Sequence, residues 1–150
     1  MDLHQDWKEF CATLNRHDVE YLVVGAFALA FHGLPRLTGD IDFWVNPTPE
    51  NAARLTEALA EFGFPSTREQ AHLFAQPGQM WQIGVPPFRI DVITSIDGVE
   101  FGEAWDARVA GPLDGETAFY ISREHYLRNK RSTTRIKDKQ DPDRLDELTS

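Results

Sequence analysis

The segment from residue 36 to residue 45 is Arg-Leu-Thr-Gly-Asp-Ile-Asp-Phe-Trp-Val, which places two carboxylates at the start of an apolar stretch. Alternate side chains of a β-strand point to the same face, so Asp40 and Asp42 would lie side by side while Ile41 points into the core. Like charges this close repel each other, and a divalent cation relieves the repulsion. The pair predicts a Mg²⁺ site or, equally, a solvated strand entrance that is merely acidic.

A strand and a glycine turn precede this segment. Residues 19–24 are apolar and β-branched, which predicts a buried strand, and residues 26–32 predict a short helix that ends at Gly33. Gly25 stands at the turn between them, where backbone N–H groups can approach a phosphate and the helix N-terminus adds partial positive charge. A plain tight turn is the alternative, but the position one helix before the carboxylate pair favours phosphate binding.

A third carboxylate, Asp91, lies among β-branched residues in a predicted strand over residues 88–94. Charged side chains are rarely buried unless they are paired or bind a metal. If this strand neighbours the first one, Asp91 completes a cluster in which two carboxylates hold metal and one acts as a general base on a hydroxyl group. The alternatives are a solvent-facing Asp91 and an ion pair between Asp91 and Arg89.

These motifs together resemble the polymerase-beta-type nucleotidyltransferase superfamily. The resemblance rests on Val24-Gly25-Ala26, on Thr38-Gly39-Asp40-Ile41-Asp42 and on Arg89-Ile90-Asp91-Val92. Small bacterial nucleotidyltransferase-like proteins are most similar, among them the AbiEii-type toxins and minimal nucleotidyltransferases. The chain departs from their pattern at Ala26, where a second glycine or a small polar residue is usual. Alanine keeps the backbone amide but has no hydroxyl group for a phosphate contact.

The resemblance implies a set of roles for the motif residues. Asp40 and Asp42 would hold two Mg²⁺ ions, or Mn²⁺, while Asp91 would share one of them and act as the base. Gly25 and Ala26 would hold the β- and γ-phosphates of a nucleoside triphosphate. The implied activity is transfer of a nucleoside monophosphate to an RNA or protein acceptor. The toxin of a toxin–antitoxin system, with a cognate antitoxin as partner, is one such role.

Further nucleotide contacts are expected from cations and one hydroxyl group. Arg36 precedes the strand with the carboxylates and suits a phosphate, and Thr38 is placed to orient Asp40. By the same resemblance, Lys130, Arg135 and Lys137 would contact the triphosphate. All three belong to the one basic cluster, residues 123–139, of a chain with net charge −9. The alternatives are an exposed loop cation for Arg36 and a turn cap for Thr38. For the three cations of the basic cluster, the alternative is a solvated helical face.

Length and composition predict one domain over residues 1–150, with a basic helical segment over about residues 122–150, and the resemblance implies that this domain is nucleotidyltransferase-like. A single cysteine, Cys11, excludes an internal disulfide and suits the reducing cytoplasm. No segment has the length of a membrane span, so no membrane partner is expected. The acidic charge argues against broad, non-specific binding of nucleic acid.

The expected fold class is α/β (α+β), a small mixed β-sheet with helices packed on one side. A hairpin turn is expected at residues 76–79, between short strands over residues 72–94, and one or two strands are expected within residues 106–121. Helices are expected over residues 3–16, 49–62, from 122 onward, and 140–148.

Three classes of function are consistent with the sequence. The first is an active nucleotidyltransferase, the second is a catalytically silent nucleotide- or partner-binding module on the same fold, and the third is an unrelated acidic structural domain. Divalent-cation dependence of triphosphate binding separates the third class from the other two. Release of pyrophosphate separates the first class from the second.

Overall fold

The computed structural model describes residues 3–33, 39–85 and 88–137, which form six strands and six helices. Their order along the chain is α1 (Leu3–Arg16), β1 (Tyr21–Val24), α2 (Gly25–Phe31), β2 (Asp40–Val45), α3 (Pro49–Phe62), α4 (Arg68–Leu73), β3 (Met80–Val85), β4 (Phe88–Ile93), α5 (Phe101–Asp106), β5 (Val109–Leu113), β6 (Glu116–Tyr120) and α6 (Arg123–Lys137).

The six strands form one sheet in the order β3-β4-β2-β1-β6-β5. Strand β2 pairs antiparallel with β1 and parallel with β4, and β1 pairs parallel with β6. The two remaining pairs, β3–β4 and β5–β6, are antiparallel. The expected mixed sheet is therefore confirmed, and β2, which carries the carboxylate pair, lies inside it.

Two predicted helices are found with the expected bounds. Helix α1 buries Trp7, Phe10 and other apolar side chains, because these recur at helical spacing on one of its faces. Helix α3 begins after Thr48, whose hydroxyl group accepts a hydrogen bond from the backbone N–H of Asn51. It ends at Gly63, which has the left-handed conformation with φ 107°.

Helices lie on both faces of the sheet. Phe10 of α1 packs edge-on against Phe43 of β2, with ring centroids 5.1 Å apart. Phe101 of α5 packs in the same way against Trp44, at 5.0 Å. Residues 43 and 44 point to opposite faces because side chains alternate along a strand. The expectation that helices pack on one side of the sheet is therefore incomplete. Helix α1 packs on the Phe43 face, and α5 packs on the opposite face, that of Trp44.

The predicted hairpin turn at residues 76–79 is wrong. The residues before it, 68–73, form helix α4 and not a strand, so the turn joins a helix to β3. Helix α4 begins there because Thr67 and Gln70 form a capping box, in which each side chain bonds to the backbone N–H of the other residue. The two strands expected within residues 106–121 are present as β5 and β6. The expected helix over residues 140–148 lies outside the described residues.

The end of α2 is attached to the segment that leads into α6. Phe31 stacks on Tyr120, with ring centroids 3.8 Å apart and an interplanar angle of 9°. The Nε2 atom of His32 lies 2.7 Å from the carbonyl oxygen of Ile121 and donates a hydrogen bond to it. Ile121 comes two residues before the first residue of α6. None of the described helices is both long enough and apolar enough to cross a membrane.

Candidate active site

The carboxylates predicted from the sequence lie on two neighbouring strands and on one face of the sheet. In the parallel pairing of β2 with β4, Asp42 is opposite Asp91 and Asp40 is opposite Arg89. Residues two apart on a strand share a face, so all four side chains lie on the face of Trp44. The expectation that the strand of Asp91 neighbours the strand of Asp40 and Asp42 is confirmed.

The carboxyl groups of Asp42 and Asp91 lie close enough to act on each other electrostatically. Two ionised carboxylates in such a position repel each other, so a proton on one of them is favoured. Burial, followed by the contact with Asp91, raises the pKa of Asp42 to about 7, while the charge of Lys130 acts in the opposite direction. Near pH 7, Asp42 is therefore partly protonated, and the three carboxyl groups carry fewer than three negative charges.

Asp91 is buried and only partly satisfied. Its side chain belongs to a residue that is 8% exposed, and its Oδ1 atom has no hydrogen-bond partner among the described residues. A buried carboxylate oxygen without a partner is costly, and a proton or a cation would remove that cost. The lack of a partner for Oδ1 is the observation that best fits binding of a hard cation such as Mg²⁺, because Mg²⁺ prefers oxygen ligands.

Asp40 is held by Arg89. The Nε and Nη2 atoms of Arg89 donate hydrogen bonds to the Oδ1 and Oδ2 atoms of Asp40, both at 3.2 Å. The sequence left open a pair between Arg89 and Asp91, but Arg89 binds the neighbouring strand instead. Within residues 3–33, 39–85 and 88–137, no three His, Cys, Asp or Glu side chains form a ready-made metal site. Asp42 and Asp91 would fit a cation once the proton favoured on Asp42 is released, and Asp40 would join them only when it no longer binds Arg89.

The glycine turn lies directly against Asp42. Gly25 has φ 73°, and a Cβ atom at this position would overlap the Oδ2 atom of Asp42. Only glycine provides both this conformation and this space. The predicted turn and the predicted carboxylate pair are thus brought together, with Ala26 following in the first turn of α2.

The remaining predicted contacts fall into two groups. Lys130 lies on α6, with its ammonium group 5.6 Å from the ring centroid of Tyr126, and its charge acts on Asp42. Arg36 and Thr38 lie outside the described residues, as do the side chains of Arg135 and Lys137. Of the predicted cations, Lys130 is the one that the described part of the chain brings to the carboxylates.

Arg89 is a site residue that sequence reasoning did not select. The available signal was its position two residues before Asp91, which places both side chains on one face of the strand. Its actual partner, Asp40, depends on the register between β2 and β4, which no local pattern specifies.

The sequence matches no protein-family model and no protein with a curated description. Among solved structures, a crystal structure from Thermotoga maritima, of a protein described as a "putative nucleotidyltransferase", is similar with a TM-score of 0.61. The match covers 97% of this chain and 91% of that chain at 15% sequence identity. At this identity the likeness establishes the fold alone. The chain therefore shares the fold of this protein, and it carries Asp40 and Asp42 on β2 and Asp91 on the adjacent strand β4.

Proposed function

We propose that the protein is a Mg²⁺-dependent nucleotidyltransferase that moves a nucleoside monophosphate from a nucleoside triphosphate to an RNA or protein acceptor. One observation carries the proposal, namely the in-register placement of Asp42 against Asp91 with the Gly25 turn packed on the same carboxylate. The fold shared with the Thermotoga maritima protein supports a nucleotide as substrate.

Asp42 and Asp91, joined by Asp40 once Arg89 no longer binds it, would hold Mg²⁺ or Mn²⁺. When bound, the cation neutralises charge on the triphosphate and makes the attacking hydroxyl group more acidic. The reaction in this proposal is attack of the acceptor oxygen on the α-phosphorus, with pyrophosphate leaving from the opposite side. The chain must therefore align the acceptor, take up its proton and hold the phosphates.

We assign to Asp91 the role of the base that takes up the proton of the acceptor's hydroxyl group. Asp91 shares the sheet face of Asp42 and is the carboxylate to which the resemblance gives the role of general base, so it would accept the proton of the attacking hydroxyl group. The backbone N–H groups at Gly25 and Ala26 would donate to the β- and γ-phosphates, and the ammonium group of Lys130 would offset their charge. Arg36, Thr38, Arg135 and Lys137 stay predicted contacts of the same triphosphate.

The test is transfer of label from each of four radiolabelled triphosphates to cellular RNA and protein, with and without EDTA. We expect transfer that needs the divalent cation and falls at least about 100-fold in Asp42→Ala, as when one group that stabilises a transition state is removed. Asp106→Ala, which alters an exposed carboxylate on α5, is the matched control and should retain activity. Absence of transfer from every triphosphate to any acceptor would contradict the enzyme proposal.

A second candidate, a catalytically silent nucleotide- or partner-binding module, is favoured by one specific observation. Asp40, a predicted metal ligand, is occupied by Arg89. The departure from the family pattern at Ala26 points the same way. Such a module would bind triphosphate with divalent cation but release no pyrophosphate.

The toxin role is a finer part of the first proposal. Expression of the chain should then arrest growth, and Asp42→Ala should abolish the arrest without lowering the amount of protein. A cognate antitoxin would reverse the arrest by the wild-type chain. Growth that is equal for the wild-type chain and the variant would exclude this role and leave the transferase proposal standing.

A further inference from the structure

Arg89 contacts the carboxylate of Asp40 with two donors, one on each oxygen atom, at 3.2 Å. This parallel arrangement matches the planar guanidinium group to the planar carboxylate. Both oxygens of Asp40 are thereby engaged with a positive group. A metal cation that approached Asp40 would meet the positive charge of Arg89 and would have to displace it.

The ion pair between Arg89 and Asp40 lies where another ion can replace either partner. The side chain of Arg89 is 29% exposed and that of Asp40 is 40% exposed, so water reaches both. Partly solvated ion pairs are weak enough for another ion to replace either partner. A phosphate group offers a guanidinium the same two-oxygen geometry that a carboxylate offers. Arg89 also shares a strand face with Asp91, so it borders the proposed triphosphate site.

We propose that Arg89 is a positioning residue that makes cation binding and triphosphate binding depend on each other. In the nucleotide-free protein its guanidinium group occupies Asp40. When a triphosphate enters, the guanidinium group moves to the phosphate oxygens and no longer competes with the cation for Asp40. The inference rests on the proposed function and deepens it, because it concerns the order in which the same site is filled.

The inference predicts effects of opposite sign when each ligand is studied alone. Because Arg89 competes with the cation for Asp40, its removal should strengthen cation binding in the absence of nucleotide. Because Arg89 is also a partner for phosphate, its removal should weaken triphosphate binding in the absence of cation. A residue that merely ties β2 to β4 would change stability and would leave these two affinities unaltered.

The experiment uses the full chain and two separate titrations. Binding of Mn²⁺ without nucleotide is measured by electron paramagnetic resonance, and binding of inorganic tripolyphosphate in EDTA is measured by calorimetry. In Arg89→Met, we expect the dissociation constant for Mn²⁺ to fall about tenfold and that for tripolyphosphate to rise about tenfold, the effect of one charged hydrogen-bonded contact.

Two control variants separate the paired contact from charge alone. Arg89→Lys keeps the positive charge but loses the two-pronged contact, so we expect Mn²⁺ affinity between those of the wild-type chain and Arg89→Met. Arg54→Met, an exposed position on α3, changes the net charge equally and should alter neither affinity. Arg89→Gln replaces Arg89→Met if the thermal unfolding of the latter shows that it is not folded.

Each outcome has a distinct meaning. If the wild-type chain binds both ligands and Arg89→Met changes neither affinity, the inference is overturned and the proposed function stands. If Arg89→Lys equals the wild-type chain in both titrations, charge alone is responsible and the exchange at Asp40 is refuted. If no variant binds Mn²⁺ or tripolyphosphate, the proposed function itself fails.

Discussion

The two faces of β2 contribute opposite terms to the stability of the protein over residues 40–43, the part of the strand before Trp44. Ile41 and Phe43 are fully buried against other apolar side chains. Asp40 and Asp42 alternate with them along the same six residues but face Arg89, Asp91 and the glycine turn. One face lowers the free energy of the folded state by removing hydrocarbon from water. The other face holds carboxyl groups together at a cost in stability, and such a cost is common where a protein binds ligands.

Loss of the apolar face should have the largest effect on stability. Phe43 contacts Phe10 and Tyr21 edge-on, with ring centroids 5.1 Å and 5.5 Å away. Phe43→Ala leaves a cavity in this cluster and should lower the free energy of unfolding by about 3–5 kcal/mol, measured by urea titration. Phe64→Ala, at a side chain that is 46% exposed, should cost no more than about 1 kcal/mol. Equal losses in the two variants would contradict the assignment of Phe43 to the core.

A methyl group at the turn should have an intermediate effect. Gly25→Ala places a Cβ atom against the Asp42 carboxylate in a left-handed conformation, which should destabilise the protein by about 1–3 kcal/mol in thermal unfolding. Gly102→Ala is the matched control, because a Cβ atom there meets open space and the residue lies within α5. That control should leave stability unchanged or slightly raised. A loss as large in Gly102→Ala would show that the turn is not specially constrained.

The free energy of unfolding contributed by the carboxylate face should change with pH in the opposite sense to that of a carboxylate in a salt bridge. The pKa of Asp42 is about 7 in the folded protein, above its ordinary value of 3.8, so the folded state retains a proton that the unfolded state releases. The free energy of unfolding in EDTA should therefore fall as the pH rises from 4 to 7. Asp42→Asn should remove this dependence and raise stability at pH 8 by about 1–2 kcal/mol, a figure reduced for partial solvation.

Urea titrations at pH 5 and pH 8 check this third prediction. The matched control is Asp106→Asn, an exposed position on α5, which should keep the pH dependence of the wild-type chain. If Asp42→Asn retains that dependence as well, a group other than Asp42 takes up the proton.

Features that short stretches of sequence determine were predictable. Helix α3 was predicted with its correct bounds because Thr48, Pro49 and Gly63 mark its ends by local backbone chemistry. The shared face of Asp40 and Asp42 follows in the same way from the alternation of a strand. Helix α4 was also predictable, since Thr67 and Gln70 have the spacing of a capping box.

Features that depend on pairing between distant strands were not predictable. The pair between Arg89 and Asp40 joins residues 49 positions apart, and a shift of register between β2 and β4 would abolish it. From the sequence, the expected reason for glycine at position 25 was the approach of a phosphate, with a plain tight turn as the alternative. The structure adds a steric reason, the Asp42 carboxylate, that only the folded sheet brings to this position.

The contacts between the end of α2 and the residues just before α6, Tyr120 and Ile121, have a consequence for ligand affinity. Helix α2 begins at the Gly25 turn, and its other end is fixed by the Phe31–Tyr120 stack and by the hydrogen bond from His32 to Ile121. The helix that follows Ile121 carries Lys130. The spacing between a backbone donor turn and a side-chain cation is thereby set when the chain folds. The conformational entropy of arranging them is lost in folding and does not reduce the affinity for an anion that arrives later.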